Sequence, residues 1–331
     1  MRYTNSSNVK INKKILLVLL LTPLFFVSSM FLVSNYIYGD QISYQAFYKV
    51  LSTASYRDVM SVARDYLSSG EPVSAYFLWV GAKLGIDKNI YISFLNTAML
   101  IFLTIFLLRY KVKGFVIALL LTNVYVIVLM TGAERLKISY IFLFLAALSH
   151  SNRRMFFVGL SPLAHFQSLI ILPSLAIYSF HNYFSRFVSN LKVDKKILYG
   201  VFLVFLASFI FVAFFIDPLL SKASAYMRGD VRFLSLFQIS LLFASILPLA
   251  LNKIKWMLIF LYFSSTVLLL GGERINMIAF TAVAYILVTE GKLSVLRFHN
   301  IPFVLILVYL SFKSVSFVGN VLEHGTGFYS G

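Results

Sequence analysis

MFFVGLSPLAHFQSLIILPSLAIYSF, residues 155–180, decides how this chain is threaded. It is apolar, too long for one ordinary membrane span, and interrupted by Pro162 and Pro173. If it crosses once, everything downstream changes side, and the 29 Lys and Arg divide 14 inside to 15 outside. If it enters and returns, the division becomes 17 inside to 12 outside. The positive-inside rule selects the second reading. The segment is therefore expected to be a broken, re-entrant hairpin, tolerated where protein covers its freed backbone.

Outward from this segment the chain is a series of apolar runs. Its 331 residues are 60% hydrophobic and 12% charged, with a mean hydropathy of +0.86. That excludes a soluble domain and a disordered chain. Runs long enough for helical spans argue against a β-barrel of short alternating strands. Spans are predicted at 15–34, 90–108, 114–131, 136–150, 197–216, 234–251, 254–270, 275–289 and 301–318. With the hairpin, the expectation is an all-α polytopic protein of about ten transmembrane helices, one integral membrane domain over 1–331. The first run follows Arg2, Lys10, Lys13 and Lys14, lacks a cleavage site and reads as a retained span with the N-terminus cytoplasmic.

The net charge of +17 would suggest nucleic acid in a soluble protein. Here the basic residues sit in short inside loops, at 109–113, 153–154, 186–196, 253–255 and 292–297, where they anchor topology. No nucleic acid is expected. Ten of the twelve acids fall outside. The chain has no cysteine, which excludes disulfides and thiolate chemistry. No ATP-binding loop, His-Glu-x-x-His or Asp-x-Asp motif occurs, so neither a metal nor a cofactor is expected.

Two loops are expected outside, 35–89 and 217–232. In the first, Ser55-Tyr56-Arg57-Asp58 reads as a capping box. Val59, Val62, Ala63, Tyr66 and Leu67 then share one face of a surface helix that Gly70 ends. Glu71-Pro72 opens a second short helix with Pro at its first position, re-entrant or interfacial in character.

The motif Gly-x-Glu-Arg occurs twice at the outer edge of an apolar run, as Gly132-Ala133-Glu134-Arg135 and Gly271-Gly272-Glu273-Arg274. Arg135 and Arg274 each fall in the first turn of a helix, where free N–H groups and the helix dipole favour an anion. The guanidinium fork matches phosphate. Glu134, Lys137, Glu273, Arg228 and Arg232 are expected on the same side and count as candidate substrate-binding groups. The opposing reading is that Glu and Arg pair with each other or reach to headgroups. His165, within Leu163-Ala164-His165-Phe166-Gln167-Ser168, is an ionisable ring at membrane depth and a candidate proton acceptor.

Taken in order, these features resemble the Wzy-type and EpsG-like bacterial polysaccharide polymerases. The resemblance runs through Asp40 and Tyr44 after the first span, then Glu71-Pro72 opening a short apolar helix that ends at Gly85. It continues through Arg135, the Arg153-Arg154 loop, His165 within an apolar segment, and Arg274. Leu136 stands where relatives commonly carry Gln, and Val73 where Gly or a bulky residue is usual. The resemblance implies a glycosyltransferase at the periplasmic face of the bacterial inner membrane. Undecaprenyl-pyrophosphate-linked glycans would be donor and acceptor. Arg135, Arg274 and His165 would be catalytic, with Asp40, Tyr44 and Glu71 on the sugar path. Membrane lipid, a flippase and a chain-length regulator are the implied partners. A ligase using the same leaving group, and a flippase or transporter of lipid-linked sugars, remain open.

Overall fold

A computed structural model describes residues 5–68, 70–178, 232–250, 252–270, 272–295 and 297–328. Among these residues every regular element is helical and no strand occurs. The chain divides into two compact units, residues 1–169 with 287–331, and residues 170–286.

The first unit begins with α1 (Asn5–Asn35), which packs along α5 (Lys88–Arg109). Lys14 Nζ donates to Leu108 O at 3.0 Å, and Asn96 Nδ2 to Ser29 Oγ at 2.8 Å, so the two helices run antiparallel. Between them lie α2 (Asp40–Leu51), α3 (Val59–Leu67) and α4 (Pro72–Lys83). These short helices share a core of Phe47, Leu51, Val59, Ala63, Ala75, Leu78, Ala82 and Ile92. Gly81 is required there, because a Cβ would sit 2.6 Å from both the Tyr48 hydroxyl and the Tyr91 ring.

α3 departs from the capping-box expectation. Ser55 Oγ bonds the Asp58 carboxylate at 2.6 Å rather than a backbone N–H, and Asp58 itself is the N-cap. The helix ends at Ser68, held in the left-handed region at φ 46°, two residues before Gly70. Glu71 is the N-cap of α4 with Pro72 at its first turn, as the sequence predicts.

The run 114–131 is not one straight span. It forms α6 (Gly114–Thr122) and α7 (Val124–Thr131), bent by 46°. Asn123 causes the break, since its extended backbone leaves the helix and its Oδ1 caps Tyr125 N at 3.0 Å and Val126 N at 3.2 Å. α8 (Glu134–Leu148) then packs on α9 (Ser151–Ala164) through Ile138, Phe142 and Ala164, with a buried Ser139–Ser161 hydroxyl pair at 2.7 Å. Phe77 from α4 meets Phe142 edge-on at 5.8 Å between centroids. The expected break in 155–180 falls at His165, whose extended backbone separates α9 from a 3-10 turn, Phe166–Ile170. The closing helix of this unit, α13 (Ile301–His324), packs on α6 and α7 and ends at Gly325, which takes φ 66°.

Cross-contacts give the first unit two chemically different ends. Lys14 and Arg109 reach the carbonyls of Leu108 and Leu148, and Arg154 reaches that of Ala146. Residues 40–44, 71, 131–135 and 165 gather at the opposite end.

The second unit contains α10 (Arg232–Ile246), α11 (Lys253–Leu270) and most of α12 (Glu273–Thr289). α10 packs on α11, with Phe243 against Trp256, Phe260 and Phe263.

Among the described residues, three helices, Lys14–Asn35, Lys88–Arg109 and Phe298–His324, are long and apolar enough to cross a membrane, or four if the bent α6–α7 pair is one span. Leu19, Leu20, Val27 and Phe312 are among the large side chains these helices leave exposed. Such a surface is consistent with a membrane protein. Phe166–Tyr178, Phe233–Leu249 and Arg274–Thr289 are apolar but shorter, at 10–17 residues. The expected span 197–216 and loop 217–232 fall outside the described residues, apart from the backbone of Arg232 that opens α10.

Candidate functional site

Glu71 is 1% exposed and binds three groups from two distant parts of the chain. Its Oε2 accepts from Arg135 Nη1 at 2.5 Å. Its Oε1 lies 2.7 Å from His165 Nδ1 and accepts from the Phe166 backbone N–H at 3.0 Å. Arg135 also donates from Nε to the Tyr44 hydroxyl at 3.0 Å. Tyr44 comes from α2, Glu71 from the start of α4, Arg135 from the first turn of α8, and His165 from the break after α9.

Local sequence explains why each group is available there. Glu71 precedes Pro72, so its extended backbone leaves the helix axis and its side chain is free to reach sideways. Pro162 stands three residues before the break at which His165 leaves α9. Arg135 sits where α8 still has unpaired N–H groups.

The electrostatics follow from this packing. Burial by itself raises the Glu71 carboxyl, but His165, Arg135 and the Phe166 N–H overcome it and hold the carboxyl well below the usual carboxylate range. Burial raises the Tyr44 phenol despite the opposing pull of Arg135. Tyr44 is therefore a neutral donor and acceptor at physiological pH.

The guanidinium of Arg135 is not exhausted. Of its five N–H donors, Nε–H and one Nη1–H find partners among the described residues. Its side chain is 13% exposed. On His165, Glu71 occupies Nδ1, and Nε2 lies 3.1 Å from Gln167 Oε1. Glu71, His165 and Arg135 thus combine an oriented imidazole with a cationic fork.

The first Gly-x-Glu-Arg motif divides its two charged residues between separate clusters. Arg135 turns to Glu71 and Tyr44, while Glu134 turns inward. Glu134 and Lys137 are fully buried and lie 2.9 Å apart. Gln41 Nε2 donates to Glu134 Oε1 at 2.7 Å and to Thr131 O at 2.5 Å, and Lys137 Nζ donates to Met130 O at 3.0 Å. Lys88 Nζ donates to Gln41 Oε1. Enclosed in this way, Glu134 and Lys137 tie α2, α5 and α8 together, and neither side chain, expected to bind substrate, is exposed in this structure. The expected alternative pairing of Glu134 with Arg135 is also absent.

Asp40 is exposed at the first residue of α2, one turn before Tyr44. Arg274 is exposed in the first turn of α12, within the second unit. Arg228 lies outside the described residues, as do the side chains of Arg232 and Glu273. Among the described residues no three His, Asp or Glu side chains come together as metal ligands.

Sequence reasoning missed Gln41, Lys88 and Gln167. Gln41 precedes Tyr44 by three residues, so the two share a helix face, and that spacing was a usable signal. For Gln167 the signal was its place two residues beyond His165.

No family model, no curated protein and no solved structure matches this chain. The functional reading therefore rests on the geometry of the site and on the resemblance of its residues.

Proposed function

We propose that this chain is a membrane glycosyltransferase that polymerises lipid-linked oligosaccharide repeat units at the outer face of a bacterial inner membrane. The observation that carries the reading is the Arg135–Glu71–His165 assembly, with spare guanidinium donors beside an oriented imidazole. Three residues picked out by the family resemblance meet here, from positions up to 94 residues apart. The basic anchors lie at the other end of the first unit, which is the arrangement a cytoplasmic anchor and a periplasmic site require. In this reading the chain has about ten transmembrane helices, the segment broken at His165 included.

The reaction divides between the two cationic and basic groups. An acceptor sugar hydroxyl attacks the anomeric carbon of the glycan carried on undecaprenyl pyrophosphate. The bond from that carbon to the pyrophosphate oxygen breaks, and undecaprenyl pyrophosphate leaves with the bonding pair. The hydroxyl proton passes to His165 Nε2, while Glu71 holds Nδ1–H and stabilises the imidazolium. The free N–H donors of Arg135 neutralise charge on the leaving pyrophosphate. Arg274 is proposed as a second pyrophosphate ligand, and Asp40 and Tyr44 as neighbours of the sugar path.

The test is the surface glycan of a strain lacking the protein. A polymerase defect leaves a lipid core bearing one repeat unit. A core without any unit points to a ligase or a flippase and removes the proposal. Purified protein with lipid-linked repeat units should make polymer without another enzyme.

A further inference from the structure

We infer that Gln167 is the positioning residue for the outer nitrogen of His165, pairing with it both before and after it takes a proton. This rests on the reading of His165 as the proton acceptor.

Glu71 fixes the tautomer of the ring. An ionised carboxylate only accepts, so His165 Nδ1, 2.7 Å from Glu71 Oε1, must carry a hydrogen in every state of the ring. All change in protonation is therefore confined to Nε2, which is a bare lone pair in the neutral ring and an N–H in the imidazolium. The partner of Nε2, at 3.1 Å, is the Gln167 carboxamide. A carboxamide presents an acceptor on one side and two donors on the other. With Oε1 toward the ring it accepts from the imidazolium. Turned by half a revolution, it donates to the neutral ring. Few other side chains can serve both forms without adding a charge of their own.

The backbone fixes this relationship. Phe166, between the two residues, donates its N–H to the same Glu71 oxygen that holds the ring, at 3.0 Å. Ser168 N donates to His165 O at 3.0 Å, closing the turn that carries Gln167. One carboxylate thus sets both the ring and the start of the turn. Gln167 is partly exposed, so its amide has room to swing aside when a hydroxyl arrives at Nε2.

Among the described residues, the charged groups at the ring are Glu71 at the start of α4 and, bonded to it, Arg135 on α8, the latter also held by Tyr44 of α2. On α8, Glu134 and Lys137 close on each other and on Gln41. On α9, Arg154 bonds Ala146 O at the far end.

The experiment compares Gln167→Glu and Gln167→Met in the full chain reconstituted in lipid. The imidazole nitrogens are followed by NMR of protein carrying 15N-histidine. His165 is assigned among the five histidines by its loss in His165→Asn. In the unaltered protein Nδ1 should stay protonated across the titration while Nε2 alone responds. Gln167→Glu, which keeps an acceptor and adds charge, should extend the imidazolium to higher pH and move the acid limb of the activity profile the same way. Gln167→Met, which offers neither donor nor acceptor, should move the Nε2 resonance in both forms of the ring, because the partner of each is lost. Unchanged His165 signals in both variants overturn the inference, whatever the protein level. The NMR readout needs no substrate. Altered signals in a protein that makes no polymer would therefore sink the polymerase reading and leave the positioning role standing.

Discussion

Glu71 Oε1 and His165 Nδ1 lie 2.7 Å apart although 94 residues separate them in the chain. The second oxygen of the same carboxylate meets Arg135 at 2.5 Å. One buried acid therefore orients the proposed base and anchors the proposed phosphate ligand together. Glu71→Gln keeps the volume and removes the charge that both partners require. Removing one member of a buried ion pair costs about 3–5 kcal/mol, because the remaining charge is left uncompensated. The expected outcome is a lower thermal midpoint and loss of polymer, measured by unfolding in detergent and by the glycan ladder. Full-length polymer at normal protein level would return Glu71 to a purely structural role.

Arg135→Lys tests the fork rather than the charge. A lysine ammonium cannot hold Tyr44 and Glu71 in the paired geometry of Nε and Nη1 while offering further planar donors to a phosphate. Polymerisation should fall on the order of 10²–10³, with the protein still inserted. Rate at saturating lipid-linked substrate is the measurement, and a change in KM alone would argue for ground-state binding only.

Glu134 and Lys137 should behave as a structural unit. Lys137→Met strands the buried Glu134 carboxylate and should destabilise by about 3–5 kcal/mol. The double variant Glu134→Gln with Lys137→Met should recover much of that loss, which a double-mutant cycle on thermal unfolding reads directly. Additive losses would mean that the two groups are not coupled.

Gly272 tests packing in the second unit. A Cβ there would lie 1.7 Å from Ser235 Oγ and 2.3 Å from Ser235 Cβ. Gly272→Ala should therefore cost about 1–3 kcal/mol through overpacking. Ser235→Gly in the same chain should restore the thermal midpoint. No loss in the single variant would show that the two segments part easily.

The depressed Glu71 carboxyl fixes the sign of the acid dependence. A carboxyl held below its unfolded value stabilises the fold fully above that value, about pH 4.3 for Glu. That stability is lost as pH falls below it and through the lower folded value. Acid titration of thermal stability should therefore show a decline below about pH 4.3 that Glu71→Gln lacks. Parallel curves for the two proteins would contradict the assignment.

The sequence by itself determined what is local. Hydropathy located the apolar helices, including 88–109 and 298–324, because burial or lipid exposure is a property of each run. Pro72 marked the start of α4, and Pro162 lay just before the break that frees His165. It also nominated Arg135 and His165 one at a time, since an ionisable group in an apolar chain is conspicuous, while Tyr44 and Glu71 came through the family resemblance. Adjacent residues such as Glu134 and Arg135 were indistinguishable at that level. Only tertiary structure decided that Arg135 faces Glu71 and Tyr44 while Glu134 is sealed against Lys137 and Gln41. The reason is geometric. Neighbours on a helix point about 100° apart, and which direction meets a partner depends on helices packed from 64 to 93 residues away.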